Sequence, residues 1–506
     1  MFKSALLSTV FNTLFAVCEI IPLVVQTTPP ASASTIVPLD FLSYSIEFSF
    51  WGDYAGFNAT NEFTNNLIGN LKTETGQDLI IRVGGATQDR TTYIASQKQP
   101  IINNWDYTYN LDQPKNSTIG PSFWRSFNRL SSTKYIFGLN FFKNDSTFMQ
   151  NLYGEVSESR KNIPTEKLYL FELGNENDVG TGNGFRPANW TQKDYVNEWV
   201  YRTEHLQSKN NDKLRFYAPS FAGLGNDVFS PITVWNSTYD YDQDGWIAEV
   251  SQHGYVTFAT RNPTLASDIM NHTTTSRFVA PFVNLNNFHT SHGRIFTIGE
   301  TNSVAGQGAF NVSDVFGSAL WGIDFSLLSA ANNITRLHFH QGTAYRYASW
   351  QPVTVNGTAP LTKPPYYGNI FVARFIGSSN NTQIMNYPLD GESNVAYAAY
   401  DGGKLARMAF LNMDIYNLTA SAGAPKPSNT FVFNAPSWAT SAEVTKLTAP
   451  EATSNTTITF GGYSYDYNLA KGRPVKVSNG TSMIMPNNGV FSVEVAASEA
   501  VIVALQ

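Results

Sequence analysis

At 506 residues the chain is long enough for two domains with a sizeable core. Hydrophobic residues make up 42% and charged residues only 14%, a globular composition and not a disordered one. A formal charge of −6 and a pI near 5.7 speak against a nucleic-acid binder, which carries a basic face. The 10 Trp, 25 Tyr and 35 Phe serve core packing first. Such a surplus also suits sugar recognition, because pyranose C–H faces stack on rings, and composition alone does not separate the two.

The N-terminus reads as an export signal over residues 1–18. Lys3 supplies a short positive region and "ALLSTVFNTLFAVC" (5–18) an apolar stretch of secretory length. Cleavage is expected after Cys18, with "ASA" at 31–33 as a later alternative. The stretch is too short for a membrane anchor, and no later segment is long enough to span. Cys18 is the only cysteine and either cleavage removes it, so the mature chain is expected to lack thiols and disulfides. Thirteen Asn-X-Ser/Thr sequons, from Asn58 and Asn116 to Asn455 and Asn479, support a secreted, extracellular protein.

Eight short, mostly apolar runs follow: "FLSYSIEF" (41), "LIIRVGG" (79), "YIFGLNFF" (135), "LYLFELGNE" (168), "LRFYAPSF" (214), "VSQHGYV" (250), "RIFTIGE" (294) and "RLHFHQG" (336). Each has the texture of a parallel strand buried on both faces. Segments such as "NEFTNNLIGNLKTETG" (61) and "TQKDYVNEWVYRTEHLQSK" (191) between them read as helices. The pattern predicts an α/β fold, a (β/α)8 TIM barrel over 36–376. A doubly wound sheet is the competitor, but no glycine-rich phosphate loop follows the first strand. From 377 to 506 alternating strands separated by Gly, Pro, Asn and Ser turns predict a C-terminal antiparallel β-sandwich, to which "EIIPLVVQTT" in 19–35 could add a strand.

In such a barrel, chemistry sits at the C-terminal strand ends. The fourth run ends in Asn175–Glu176 and the seventh in Glu300, 124 residues later. The first ends in Glu47, the second in Gly84–Gly85, and the sixth carries His253 and Tyr255. Two carboxylates converging from different strands are what glycoside hydrolysis needs, one protonated to donate and one ionised to attack. A separation of roughly 5–5.5 Å implies retention and roughly 6.5–9.5 Å inversion. Glu172 is expected deeper than Glu176, paired with an internal cation. Arg82 is a candidate for that cation, or for a group that holds Glu300 ionised.

These motifs resemble glycoside hydrolase family 79 of the fungal type, the family of secreted β-glucuronidases and heparanase. "FELGNE" is similar to its acid/base motif and "FTIGETNS" to its nucleophile motif, while "FLSYSIE", "IIRVGGATQD" and "IFGLN" match its first three barrel strands in order. The resemblance implies that Glu176 is the general acid/base, Glu300 the nucleophile, and Asn175 the partner of the sugar 2-hydroxyl. It places Glu47 toward the sugar's outer hydroxyls, and His253 and Tyr255 near the nucleophile. One departure stands out: Ala305 occupies the position where relatives carry a tyrosine for the glucuronate carboxylate. The backbone at Gly342 and the hydroxyl of Tyr345, with Tyr347 second, are the candidate replacements.

The expected activity is therefore retaining exo-β-glucuronidase action on a glycan, with 4-O-methyl-glucuronate also admissible, by a monomer or weak oligomer with no cofactor and no metal. The alternatives are a neutral-sugar relative (β-glucosidase or β-xylosidase), an endo-acting heparanase-like enzyme, or a carbohydrate-binding protein without turnover. An endo enzyme on sulfated chains would surround its cleft with Lys and Arg, which "ENDVGTGNGF" and "ETNSVAGQGAF" lack. No Gly-X-Ser-X-Gly elbow appears. "HTSH" (289–292) and "HFH" (338–340) lack carboxylate or Cys partners in a zinc pattern.

Overall fold

The computed structural model describes residues 19–506 except 225–228, 237, 239 and 243, so the expected export signal lies outside the described residues. Eight parallel strands close into a barrel in chain order: β1 (Leu42–Glu47), β2 (Leu79–Gly84), β3 (Thr133–Leu139), β4 (Leu168–Leu173), β5 (Phe216–Phe221), β6 (Ile247–Phe258), β7 (Ile295–Ala305) and β8 (Leu337–Gln341). All eight predicted runs are present. Two of them are longer than the sequence pattern predicts. The seventh strand does not end at Glu300 but continues to Ala305, and β6 continues beside it to Phe258. The pairing His253 to Glu300 through Phe258 to Ala305 holds both above the barrel mouth, after a register shift at Gln252/His253.

Among the described residues six helices of three turns or more wrap the barrel: α1 (Glu62–Thr75), α2 (Phe148–Asn162), α3 (Gln192–Ser208), α4 (His272–Ser291), α5 (Phe316–Ala331) and α6 (Pro364–Ile376). Three of their starts are written in polar caps. The Asn61 side chain accepts from the Phe63 and Thr64 N–H groups, Thr191 and Asp194 form a reciprocal capping box, and Asn271 caps α4. Between β5 and β6 the described residues hold a single 3-10 turn, Thr233–Trp235. Between β2 and β3 a three-stranded sheet (Thr91–Tyr93, Ile101–Asn104, Asn116–Ile119) projects from the mouth. Its hairpin, residues 105–115, folds back over the barrel.

Beyond Gly377 a nine-stranded sheet faces a three-stranded one, and the two share a core of Phe410, Phe431, Phe433, Phe491, Val493 and Val503. Helix α5 lies between this sandwich and the barrel. A helix apolar on every side belongs in an interior, and all of Phe316–Ala330 is buried. Its one charge, Asp324, accepts from the Tyr397 hydroxyl of the sandwich at 2.6 Å and meets His272 Nδ1 at 2.9 Å. Among the described residues no helix is long and apolar enough to cross a membrane.

The strand Ile20–Leu23 runs parallel to Ser428–Asn434 at the edge of the smaller sheet. Ile21, Leu23 and Val25 are 8%, 8% and 2% exposed and sit in the sandwich core. A chain beginning at residue 34 is expected to lose about 1.5–3 kcal/mol for each of these side chains. Its sandwich should therefore melt at clearly lower denaturant than that of a chain beginning at residue 19.

Candidate active site

The floor of the site is organised by one buried cation. Arg82, on β2, is wholly buried. Its Nε donates to Glu172 Oε2 at 2.8 Å, its Nη1 to Glu300 Oε2 at 2.6 Å and to Ser45 Oγ at 2.8 Å, and its Nη2 to Asn175 Oδ1 at 2.7 Å. Arg82 thus contacts both carboxylates that the sequence offered it, Glu172 and Glu300. The close approach depends on the glycines that follow. A Cβ on Gly84 would strike Glu172 and Arg82, and one on Gly85, at φ 99°, would strike the Glu47 carboxylate.

Strand β4 stops at Leu173, so strand alternation does not carry Glu176 to the mouth. A left-handed turn does. Gly174 has φ 86° and Glu176 itself φ 53°, ψ 49°. Two hydrogen bonds hold this turn: Asn175 N–H donates to Asp89 Oδ2 at 2.7 Å and Glu176 N–H to the Ser220 carbonyl at 2.8 Å. The Ser220 hydroxyl also donates to Glu172 at 2.5 Å.

Glu300 Oε1 accepts from the Tyr255 hydroxyl at 2.7 Å, while His340 Nδ1 stands 3.5 Å from Oε2. His253 Nδ1 lies 3.2 Å from Glu176 Oε1. A carboxylate oxygen of Glu176, a ring nitrogen of His253 and a carboxylate oxygen of Glu300 all lie within 4.8 Å of one another. Three such atoms could seat a cation. Glu300 is however already neutralised by Arg82 and faced by His340, so the trio offers a cation little net charge.

The two glutamates are driven apart in acidity. Burial and the neighbouring Glu300 charge push Glu176 well above the usual glutamate range, against Arg82. Burial also opposes ionisation of Glu300, but His340, Arg82 and the Tyr255 hydrogen bond outweigh it and hold Glu300 well below that range. Burial drops the His253 imidazole to about 4. For His340, burial is outweighed by Glu300 and Glu47, and its pKa is raised. The Glu176 side chain keeps 24% of its surface open and that of Glu300 8%, so the protonated partner faces outward and the ionised one lies inside. A pocket of about 200 Å³ adjoins Glu176, lined also by Asn175, Asp89, Phe142 and Phe185 and by Tyr109, Asn110 and Gln113 of the hairpin.

Residues 396–502 match the glycosyl hydrolase family 79 C-terminal beta domain. A β-glucuronidase of Aspergillus niger is 36% identical, the alignment covering 95% of this chain and 93% of the relative. A second, from Neurospora crassa, is 35% identical over 87% of each. The chain belongs to glycoside hydrolase family 79. The crystal structure of a 4-O-α-L-rhamnosyl-β-D-glucuronidase from Fusarium oxysporum superposes with a TM-score of 0.80 at 23% identity, covering 96% of this chain and all of that one, and shares the fold. An arabinofuranosidase of family 51 from Xanthomonas axonopodis superposes less closely, at a TM-score of 0.59 and 13% identity over 95% of this chain and 98% of that one.

Within this family 79 barrel the structure gathers Glu176, Glu300, Asn175, His253, Tyr255 and Arg82 around one point. Two other expected residues, Glu47 and Tyr345, are engaged with one another inside the protein. Glu47 is fully buried and does not present free oxygens to a sugar. Oε1 accepts from Thr87 N–H and Oγ1 at 2.8 and 2.6 Å, and Oε2 from Gln113 at 2.8 Å and Tyr345 at 3.1 Å, with His340 Nε2 at 3.3 Å. Burial opposes its ionisation, but His340 and Thr87 hold its pKa below the usual value. Tyr345, expected to receive a substrate carboxylate, donates to Glu47 instead and is itself wholly buried. At Gly342 the Tyr345 ring occupies the space a Cβ would need, which accounts for the glycine and leaves the expectation for its backbone N–H as it stood. The physical reason for the engagement of Glu47 with Tyr345 is the β2–β3 hairpin. Gln113 lies over this corner, bonded to both Glu47 and Tyr345, and Asp112 pairs with Arg346 at 2.8 Å.

Sequence reasoning missed His340, Gln113, Asp89 and Ser220. Strand alternation on "RLHFHQG" was signal enough to find His340. Gln113 sits in an irregular loop whose register nothing in the sequence fixes.

Replacing Arg82 with leucine is expected to destabilise the fold by about 3–5 kcal/mol, because two buried carboxylates lose their counter-ion. Denaturant unfolding checks the loss. A carboxyl-carbon NMR titration should then show Glu300 titrating at higher pH than in the parent protein.

Proposed function

We propose that this protein is a secreted, retaining exo-β-glucuronidase that cleaves terminal β-linked glucuronate from glycans. The observation that carries the reading is the pair Glu176 and Glu300, with carboxylate oxygens within 4.8 Å and acidities shifted in opposite directions. That spacing fits the retaining class, in which a nucleophile must reach the anomeric carbon directly; inversion needs room for a water. The catalytic groups of the reading are Glu300, which attacks the anomeric carbon, and Glu176, which gives its proton to the departing glycosidic oxygen. Glu176, then ionised beside a neutralised Glu300, draws a proton from water to release the sugar. Arg82 takes the Asn175 carbonyl oxygen, which leaves the amide N–H2 to donate toward the sugar 2-hydroxyl.

Exo action is supported by the hairpin, whose Gln113 closes the mouth over Glu47 and Tyr345. Glucuronate is supported by the two β-glucuronidases at 35–36% identity. Secretion is supported by the sequons: eleven of the thirteen asparagines are exposed. Asn271 is an exception, buried and engaged as the cap of α4 and with Glu392 at 2.8 Å. It is expected to carry no glycan in a peptide map.

A panel of aryl β-glycosides tests the activity, with glucuronide expected to exceed glucoside and xyloside by at least 100-fold in kcat/KM; preference for a neutral sugar overturns the assignment. Glu300→Gln is expected to abolish turnover. For the parent enzyme kcat/KM should fall on the alkaline side as Glu176 loses its proton, with an apparent pKa well above the ~4.3 of a free glutamate. Glu176→Gln should flatten that limb.

A further inference from the structure

A buried carboxylate that takes no part in the proposed chemistry joins three strand ends beside the pocket. Asp89, in the turn after β2, is 5% exposed. Its Oδ1 accepts the backbone N–H groups of Phe141 (2.6 Å) and Phe142 (3.2 Å), just past β3, and its Oδ2 accepts that of Asn175 (2.7 Å), just past β4. Burial raises its pKa to about 7 in spite of these three donors.

The β3 side of the bracket is fixed independently. Arg186 donates to the Phe141 and Phe142 carbonyls, each at 3.0 Å, stacks over both rings, and is itself anchored by Glu198 at 2.6 Å. The 141–142 peptides are therefore held by their carbonyls from one side and by their N–H groups from the other. Asp89 transmits that rigidity to Asn175, the residue immediately before Glu176. The need is specific, because Glu176 occupies left-handed backbone, which a glutamate adopts only where its surroundings impose it. The Ser220 carbonyl restrains the Glu176 N–H, and Asp89 restrains the preceding one. Without the second restraint the peptide can rotate, and the carboxyl swings away from the glycosidic oxygen while Glu300, on β7, stays in place.

We infer that Asp89 is a positioning residue for the acid/base, acting through the Asn175 peptide and not through the substrate. The inference rests on the reading of Glu176 as acid/base. An asparagine at 89 offers one acceptor oxygen where the carboxylate offers two, so at least one arm of the bracket is lost. A glutamate keeps both acceptors but displaces them by a methylene.

The test is a series of aryl glycosides with leaving phenols from strongly to weakly acidic, run on the parent protein, Asp89→Asn, Asp89→Glu and Glu176→Gln. A slow-turnover 2-deoxy-2-fluoro glycosyl inactivator counts competent sites, so that misfolded protein is not read as lost catalysis. Per competent site, Asp89→Asn is expected to lose about 10- to 100-fold in kcat/KM on weakly acidic phenols. It should lose less than about 3-fold on the most acidic phenol, which departs without help from an acid. Asp89→Glu should fall between parent and Asp89→Asn. An equal loss across the series, or none, overturns the inference. If the parent prefers a neutral sugar, the same series in that sugar reads Asp89 unchanged and only the glucuronate assignment fails. If Glu176→Gln shows no leaving-group dependence, both the acid/base role and the bracket built on it fall.

Discussion

Arg82 is the interaction on which the mouth of the barrel depends. One guanidinium spans β2, β4, β7 and the Ser45 hydroxyl of β1, using its planar fork to meet two carboxylates, an amide oxygen and a hydroxyl. A lysine could supply the charge but not the four directions. Burying a charge is costly unless it is paired and fully hydrogen-bonded, and here the pairing also does geometric work. The residue that keeps Glu172 tolerable in the core is the one that sets the angle of Glu300 and turns the Asn175 amide outward.

The division of labour between the two outer glutamates follows from their neighbours. Glu300 lies among Arg82, His340 and Tyr255, all donors or cations. Glu176 faces a neutral imidazole and the charge of Glu300. Two identical side chains therefore hold different protonation states at the same pH, which is the condition for acid and nucleophile to coexist. His340 links this pair to the buried corner at Glu47, so the charge balance of the site extends across the barrel from β7 to β1.

The barrel was legible because parallel strands buried on both faces leave apolar runs of fixed length, and helices leave caps at their starts. "FELGNE" and "FTIGETNS" were legible as a pair because a carboxylate after an apolar strand is expensive unless it has work to do. The engagement of Glu47 with Tyr345 and Gln113 was not legible, because it is made by the hairpin between β2 and β3 that covers that corner. A loop of residues 105–115 has no periodicity to read, so neither its path nor the seat of Gln113 can be found from the chain. The extension of β7 past Glu300 was hidden for a related reason: "TNSVAG" is too polar to look like a strand until β6 lies beside it.

The parallel pairing of Ile20–Leu23 with Ser428–Asn434 also sets an order of events. The Glu19 amide bonds to the Asn429 side chain 410 residues away, and the strand next to Asn429, Val490–Ala496, lies near the end of the chain. A contact closed over so many residues is slow to form. Ile20–Leu23 cannot take its place until Ser428–Asn434 exists, so Ile21, Leu23 and Val25 stay uncovered while the whole barrel between the two strands is made.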